Sequence, residues 1–148
     1  MTNKTIFFYG LFMDPDVLQN QNCQSSTAII AKLRNYELHL GARATLKPSE
    51  GDNVYGTLMR LSQSSLDELY SAPSVQDYQA TPVTCQLAED DFVEAITYIL
   101  PNDYPLAPPP NADYARRLLE VCNKMNIPSP YQQKLADLIK AIENRSKV

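Results

Sequence analysis

Ile6-Phe7-Phe8-Tyr9-Gly10-Leu11-Phe12-Met13-Asp14-Pro15 is an apolar, β-type run that stops at a glycine and passes at once into a helix-start signal. As structure, it reads as a buried first strand with a tight exit. As chemistry, it reads as a site: glycine lets the backbone approach a ligand closely, and free N–H groups ahead of a helix favour an anion such as a carboxylate or phosphate. Asp14 or Asp16 with Pro15 supplies the cap and first turn. The rest of the chain decides between the two readings.

Working outward, the first two thirds read as strands. Thr5 to Tyr9, Ala28 to Leu33, Tyr36 to Leu40, Val54 to Leu61, Tyr78 to Leu87 and Phe92 to Leu100 are short and rich in β-branched or aromatic residues. Val54 to Leu61 alternates, and Gly56 within it marks a bulge, a bend or a close approach. Ala88-Glu89-Asp90-Asp91 joins two strands as a polar hairpin turn. Between the strands, Ser62 opens a helix whose apolar face is Leu66, Leu69 and Tyr70.

Pro101 to Pro110 is too proline-rich for helix or central strand, so it reads as an extended connector, with Pro105-Leu106-Ala107-Pro108 a P-x-x-P pattern. Helical spacing follows at Tyr114, Leu118, Val121, Cys122 and Met125, and again at Tyr131, Leu135, Leu138, Ile139 and Ile142, with Ser129-Pro130 as cap and first turn. These signals predict an α+β fold: a small curved or closed mixed β-barrel with a short helix beside its mouth and two C-terminal helices packed on it. Residues 1–148 read as a single domain, with 101–110 the connector and 111–143 the helical part. A ligand pocket is expected at the mouth, lined by strand ends, the glycine turn and the helix around Asp67 to Tyr70.

Composition narrows the chemistry. A net charge of -4, with no Lys/Arg block, argues against nucleic acid or an anionic membrane surface as partner and leaves a small molecule open. The first hydrophobic run is cut far short of a signal-peptide core or a membrane span. Cys23, Cys85 and Cys122 are odd in number and widely spaced, which reads as reduced thiols in the cytoplasm. His39 is the single histidine and falls in a strand, so a Ser-His or Cys-His pair would depend on it alone. No cofactor and no metal site of His and Cys ligands is expected.

The ordered segments resemble the gamma-glutamylcyclotransferase-like superfamily, nearly end to end. Phe8 to Leu18 looks like the family's opening Tyr-Gly-Ser/Thr-x-Leu/Met loop with its helix start; Ala44 to Pro48 and Gly51 to Leu58 look like the next strand, turn and Val-x-Gly strand. Leu66-Asp67 resembles the Leu-Asp of the helix that carries the family's catalytic glutamate, and Tyr78, Glu94 to Tyr98 and Tyr114 through Tyr131 are similar to its later parts. The resemblance implies a reaction in which the α-amine of a gamma-glutamyl compound attacks its own side-chain carbonyl, forming 5-oxoproline and expelling an amine. It implies that a substrate carboxylate is held by backbone N–H groups of the glycine loop, here Gly10 to Phe12, that a glutamate takes the α-ammonium proton, and that a donor meets the carbonyl oxygen.

The chain departs from that pattern at the base. Where the family reads Leu-Asp-x-x-Glu-Gly, Leu66-Asp67-Glu68-Leu69-Tyr70-Ser71 puts Tyr70 at the glutamate position and Ser71 at the glycine. An ordinary tyrosine is only ~0.1% ionised at neutral pH, and making it phenolate there costs roughly 4 kcal/mol. Leu11 also replaces the loop's Ser or Thr. The expected site is therefore Tyr70 at the base position, Asp67 as a substitute carboxylate, and Tyr9, Gly10, Leu11, Phe12, Met13, Tyr78 and Tyr98 around the ligand, with Glu68 pointing off to another side of its helix and Asp77 reaching the mouth only where the intervening loop folds back. The resulting reading is a protein of this type that binds a small gamma-glutamyl or amino-acid-like ligand bearing a carboxylate, without the standard base. The alternatives are an active gamma-glutamyl amine cyclotransferase using a substitute carboxylate, and a non-catalytic partner-binding module whose mouth is plugged by side chains such as Leu11 and Tyr70.

Overall fold

In the computed structural model, which describes residues 3–20, 28–40, 44–70, 77–101 and 112–145, the opening apolar run forms strand β1 (Asn3–Phe8). Ile6, Phe7 and Phe8 are all buried, so both faces of the strand are covered. That burial follows from its position. One edge of β1 pairs antiparallel with β3 (Ala44–Ser62), and the other runs parallel to β5 (Asp91–Ile99), with Ile6 opposite Ile96. Strands β2 (Ile29–Leu40) and β4 (Gln79–Ala88) complete a closed ring in the order β1-β3-β2-β4-β5. Every pairing except β1 with β5 is antiparallel. Glu89 and Asp90 form the turn between β4 and β5, as their polarity predicts.

Two expectations are corrected within β2 and β3. The separate strands read at Ala28 to Leu33 and Tyr36 to Leu40 are one strand, because Asn35 takes up the irregularity at φ 66°, a left-handed conformation that Asn tolerates. Opposite it, Arg34 pairs with Asn53 and Tyr36 with Pro48, so the intervening residues of β3 bulge out around Gly51 at φ 86°. The Gly51 amide donates to Asn35 Oδ1 at 3.1 Å, joining the two irregularities. What reads as a turn at Gly51-Asp52 is therefore a bulge inside one long strand.

The alternation of Val54 to Leu61 suggests a strand buried on one face, yet Gly56, Thr57, Leu58 and Met59 are all buried. Helical segments cover the second face: the Tyr55 ring meets Tyr131 at 5.6 Å, and Thr57 reaches the turn that follows β1. Gly56 is a close approach. A Cβ there would lie 2.1 Å from the Phe8 carbonyl oxygen and 2.9 Å from Phe7 Cζ.

Helix α1 (Pro15–Asn20) follows the glycine exit, and α2 (Gln63–Leu69) follows β3, its first turn capped by Ser62, whose side chain accepts from the Ser65 amide at 3.2 Å. Helices α3 (Ala112–Lys124) and α4 (Ser129–Arg145) pack on each other and bury Leu118, Cys122, Tyr131, Leu135 and Ile139 of the predicted apolar faces. Tyr114 and Ile142 lie in these helices, and their side chains are outside the described set. The α3–α4 turn closes with Asn126 at φ 60° and the Ile127 amide on the Cys122 carbonyl at 3.0 Å, the hydrogen-bond pattern of a left-handed helix C-cap. The Pro128 carbonyl accepts from the Tyr131 and Gln132 amides, so α4 starts one residue ahead of the cap read at Ser129-Pro130. The connector at 102–110, with its P-x-x-P pattern, lies outside the described residues, as does Cys23.

Candidate functional site

After Phe8 the chain leaves the sheet through Tyr9 and Gly10 and tightens into a 3-10 turn at Leu11–Met13, closed by the Met13 amide on the Gly10 carbonyl at 3.0 Å. The turn is held from β3, where the buried Thr57 hydroxyl donates to the Met13 carbonyl at 3.3 Å. Met13 itself is sunk in the core, and its N–H is engaged. The donors heading this turn are thus the backbone N–H groups of Leu11 and Phe12, which a helical turn does not satisfy internally. Asp14 then caps α1, its Oδ1 accepting from the Asp16 amide at 2.9 Å.

Rings gather beside this turn. Tyr70, the residue that ends α2 at φ -91° and ψ 9°, stacks on Tyr98 of β5 with centroids 3.8 Å apart and planes 15° from parallel. Its ring also meets Phe12 edge-on at 6.4 Å and Tyr78 at 6.5 Å, while Phe12 meets Phe8 at 6.0 Å. The Tyr9 hydroxyl donates to the Tyr98 carbonyl at 2.7 Å, and the Tyr78 hydroxyl donates to the Ala44 carbonyl. Nearby, Thr45 Oγ1 accepts from the Leu100 amide at 2.9 Å, which ties the start of β3 to the end of β5. The turn, the end of α2 and the ends of β4 and β5 thereby meet.

The acidic candidates are distributed unevenly around the cluster. Asp67 is exposed on α2, where its Oδ1 accepts from Gln63 Nε2 at 2.7 Å. Its charge reaches the cluster nonetheless, because the Tyr98 hydroxyl is pushed above its ordinary pKa first by burial and then by the Asp67 carboxylate. Tyr98 is accordingly a proton donor at neutral pH. Glu68 and Asp77 are also exposed. The Leu11 side chain and the whole of Ser71 are outside the described residues.

Sequence reading alone did not find Thr57, Phe8 or the partners of Asp14. Thr57 carries a weak signal, a hydroxyl next to a glycine in an apolar strand, whereas the Asp14 pair joins α1 to α3 and has no local signature. His39 lies in β2 with Nε2 2.6 Å from Glu37 Oε1 on the same strand. Cys85 and Cys122 are buried free thiols, each pushed up to about 12 by burial. Among the described residues no group of three or more His, Cys, Asp or Glu side chains is placed to hold a metal ion, and no helix is long and apolar enough to cross a membrane.

A closed ring of strands, a glycine turn at the exit of its first strand and an aromatic cluster beside that turn define an α+β class with its candidate site at one end of the ring. The chain belongs to the family described as gamma-glutamyl cyclotransferase, AIG2-like, which it matches over residues 6–117. It is 25% identical over 151 residues to human gamma-glutamylcyclotransferase and 24% identical to the mouse protein, covering 93% of this chain and 77% of each relative. Its fold is similar to a solved gamma-glutamyl cyclotransferase structure, with a TM-score of 0.80 at 23% identity over 91% of this chain and 87% of that one. YkqA from Bacillus subtilis has the same fold at a TM-score of 0.75 and 19% identity, over 95% of this chain and 55% of that larger one.

Proposed function

We propose that this chain binds a small gamma-glutamyl or amino-acid-like ligand at the mouth of the ring, with the ligand's carboxylate on the Leu11 and Phe12 amides, and lacks the standard 5-oxoproline-forming activity. One observation carries the reading: Tyr70, at the position that the resemblance reserves for a glutamate, lies flat against Tyr98 and touches Phe12 and Tyr78. A phenol ring stacked among other tyrosines does not take a proton from an α-ammonium group as a carboxylate does. Loss of a general base costs about 10²- to 10⁴-fold in rate. The backbone donors need no particular side chain, so binding survives the replacement. Two buried free thiols suit a reducing compartment, and we place the protein in the cytoplasm.

The test is a panel of gamma-glutamyl amines and peptides incubated with the purified chain, with 5-oxoproline measured against a blank. No product above the blank is expected, together with saturable binding of 5-oxoproline by NMR titration and a measurable gain of turnover in Tyr70→Glu. Robust turnover by the native chain would overturn the non-catalytic reading. It would favour the second one, in which Asp67 serves as base, since its charge is felt at Tyr98. Asp67→Asn would then abolish that turnover.

A further inference from the structure

The glycine turn and α1 are too short to hold themselves. A 3-10 turn of three residues closes on one hydrogen bond here, and a helix of six residues is far below the length at which helices persist alone. Thr57 anchors the turn at Met13, but the next residue, Asp14, carries a carboxylate whose side chain is only 8% exposed. One oxygen of that carboxylate caps α1. The other accepts from Lys124 Nζ, at the far end of α3, at 2.8 Å, and the same ammonium reaches Asp16 Oδ2 at 2.7 Å. The Lys124 side chain is 51% exposed, so water weakens the pair from that side, but the Asp14 carboxylate is itself nearly covered and loses its counter-charge when the lysine is removed.

We propose that Lys124 is a positioning residue, whose ion pair with Asp14 holds the Gly10–Asp14 segment in the conformation that presents the Leu11 and Phe12 amides. This gives α3, outside the aromatic cluster, a role in the site. The inference deepens the ligand-binding reading above and rests on it for the consequence at the ligand, but not for the latch itself. Of the two carboxylates, Asp14 carries the effect, because the Asp16 side chain is 73% exposed and its pair with lysine is screened by water.

Lys124→Met keeps the length of the stem and removes the charge. Amide hydrogen exchange at Met13, Val17 and Leu18, whose N–H groups bond to Gly10 and Asp14 carbonyls, is expected to rise about tenfold in this variant, with exchange in the β1–β3 ladder unchanged. Lys124→Arg restores protection, and Asp16→Asn leaves it as in the native chain. 5-Oxoproline, titrated by NMR, is expected to bind Lys124→Met about tenfold more weakly. Native-like exchange at Met13, Val17 and Leu18 in Lys124→Met overturns the proposal, whatever happens to binding. If exchange rises as expected while the native chain fails to bind 5-oxoproline, the latch stands and the ligand-binding reading falls.

Discussion

At the scale of single residues, the two described bulge and contact glycines act for opposite reasons. Gly56 is required by space: a methyl group would collide with the Phe8 carbonyl oxygen and the Phe7 ring where β1 and β3 are paired. Gly56→Ala is expected to cost about 3 kcal/mol or more, as overpacking against backbone does, read as a lowered urea midpoint. Gly51 is required by conformation, since nothing lies within 4 Å of its would-be Cβ and only φ 86° resists a side chain. Gly51→Ala is expected to cost only about 1 kcal/mol. The sequence marked Gly56 as a point of interest without saying which neighbour makes it so. Tyr70 is similar: the sequence reading put it in one site with Tyr98, while their face-to-face stacking became visible only when β5 was brought beside α2.

Among the elements, the short ones depend most on their ends. Helix α2 has seven residues and needs both its Ser62 cap and the burial of Leu66 and Leu69. Ser62→Ala is expected to destabilise the protein by about 1 kcal/mol and, because Tyr70 ends this helix, to reduce the near-UV circular dichroism of the stacked tyrosines. Most strands were legible from β-branched runs, though the Ala44 to Pro48 part of β3 was read only through the resemblance, and the helix faces were legible from 3.6-residue spacing. The bulge joining Asn35 to Gly51 was not, because a local departure from extended backbone looks the same in sequence whether the chain leaves the sheet or stays in it. Hydrogen bonds to the neighbouring strand settle that question.

For the molecule as a whole, alkaline stability tests how tightly sheet and helices close. Cys85 on β4 and Cys122 on α3 are both raised from an ordinary 9.0 to about 12 by burial. Above pH 9 the unfolded chain releases these protons while the folded chain keeps them, so stability falls as pH rises from 9 to about 12 and is unaffected by these groups below that window. Each thiol contributes a slope of up to about 1.4 kcal/mol per pH unit, and Cys85→Ala should make the decline in unfolding free energy shallower across that range. The amino-acid sequence by itself determined most of the strand series, the helical end and the glycine exit after Tyr9, since each depends on neighbours along the chain. Only the tertiary structure decided that the strands close into a ring through the parallel pairing of β1 with β5, that Tyr70 stacks on Tyr98 and that Lys124 holds Asp14. These contacts join residues remote in sequence, and no local periodicity, cap or turn signal encodes which remote partner a side chain meets.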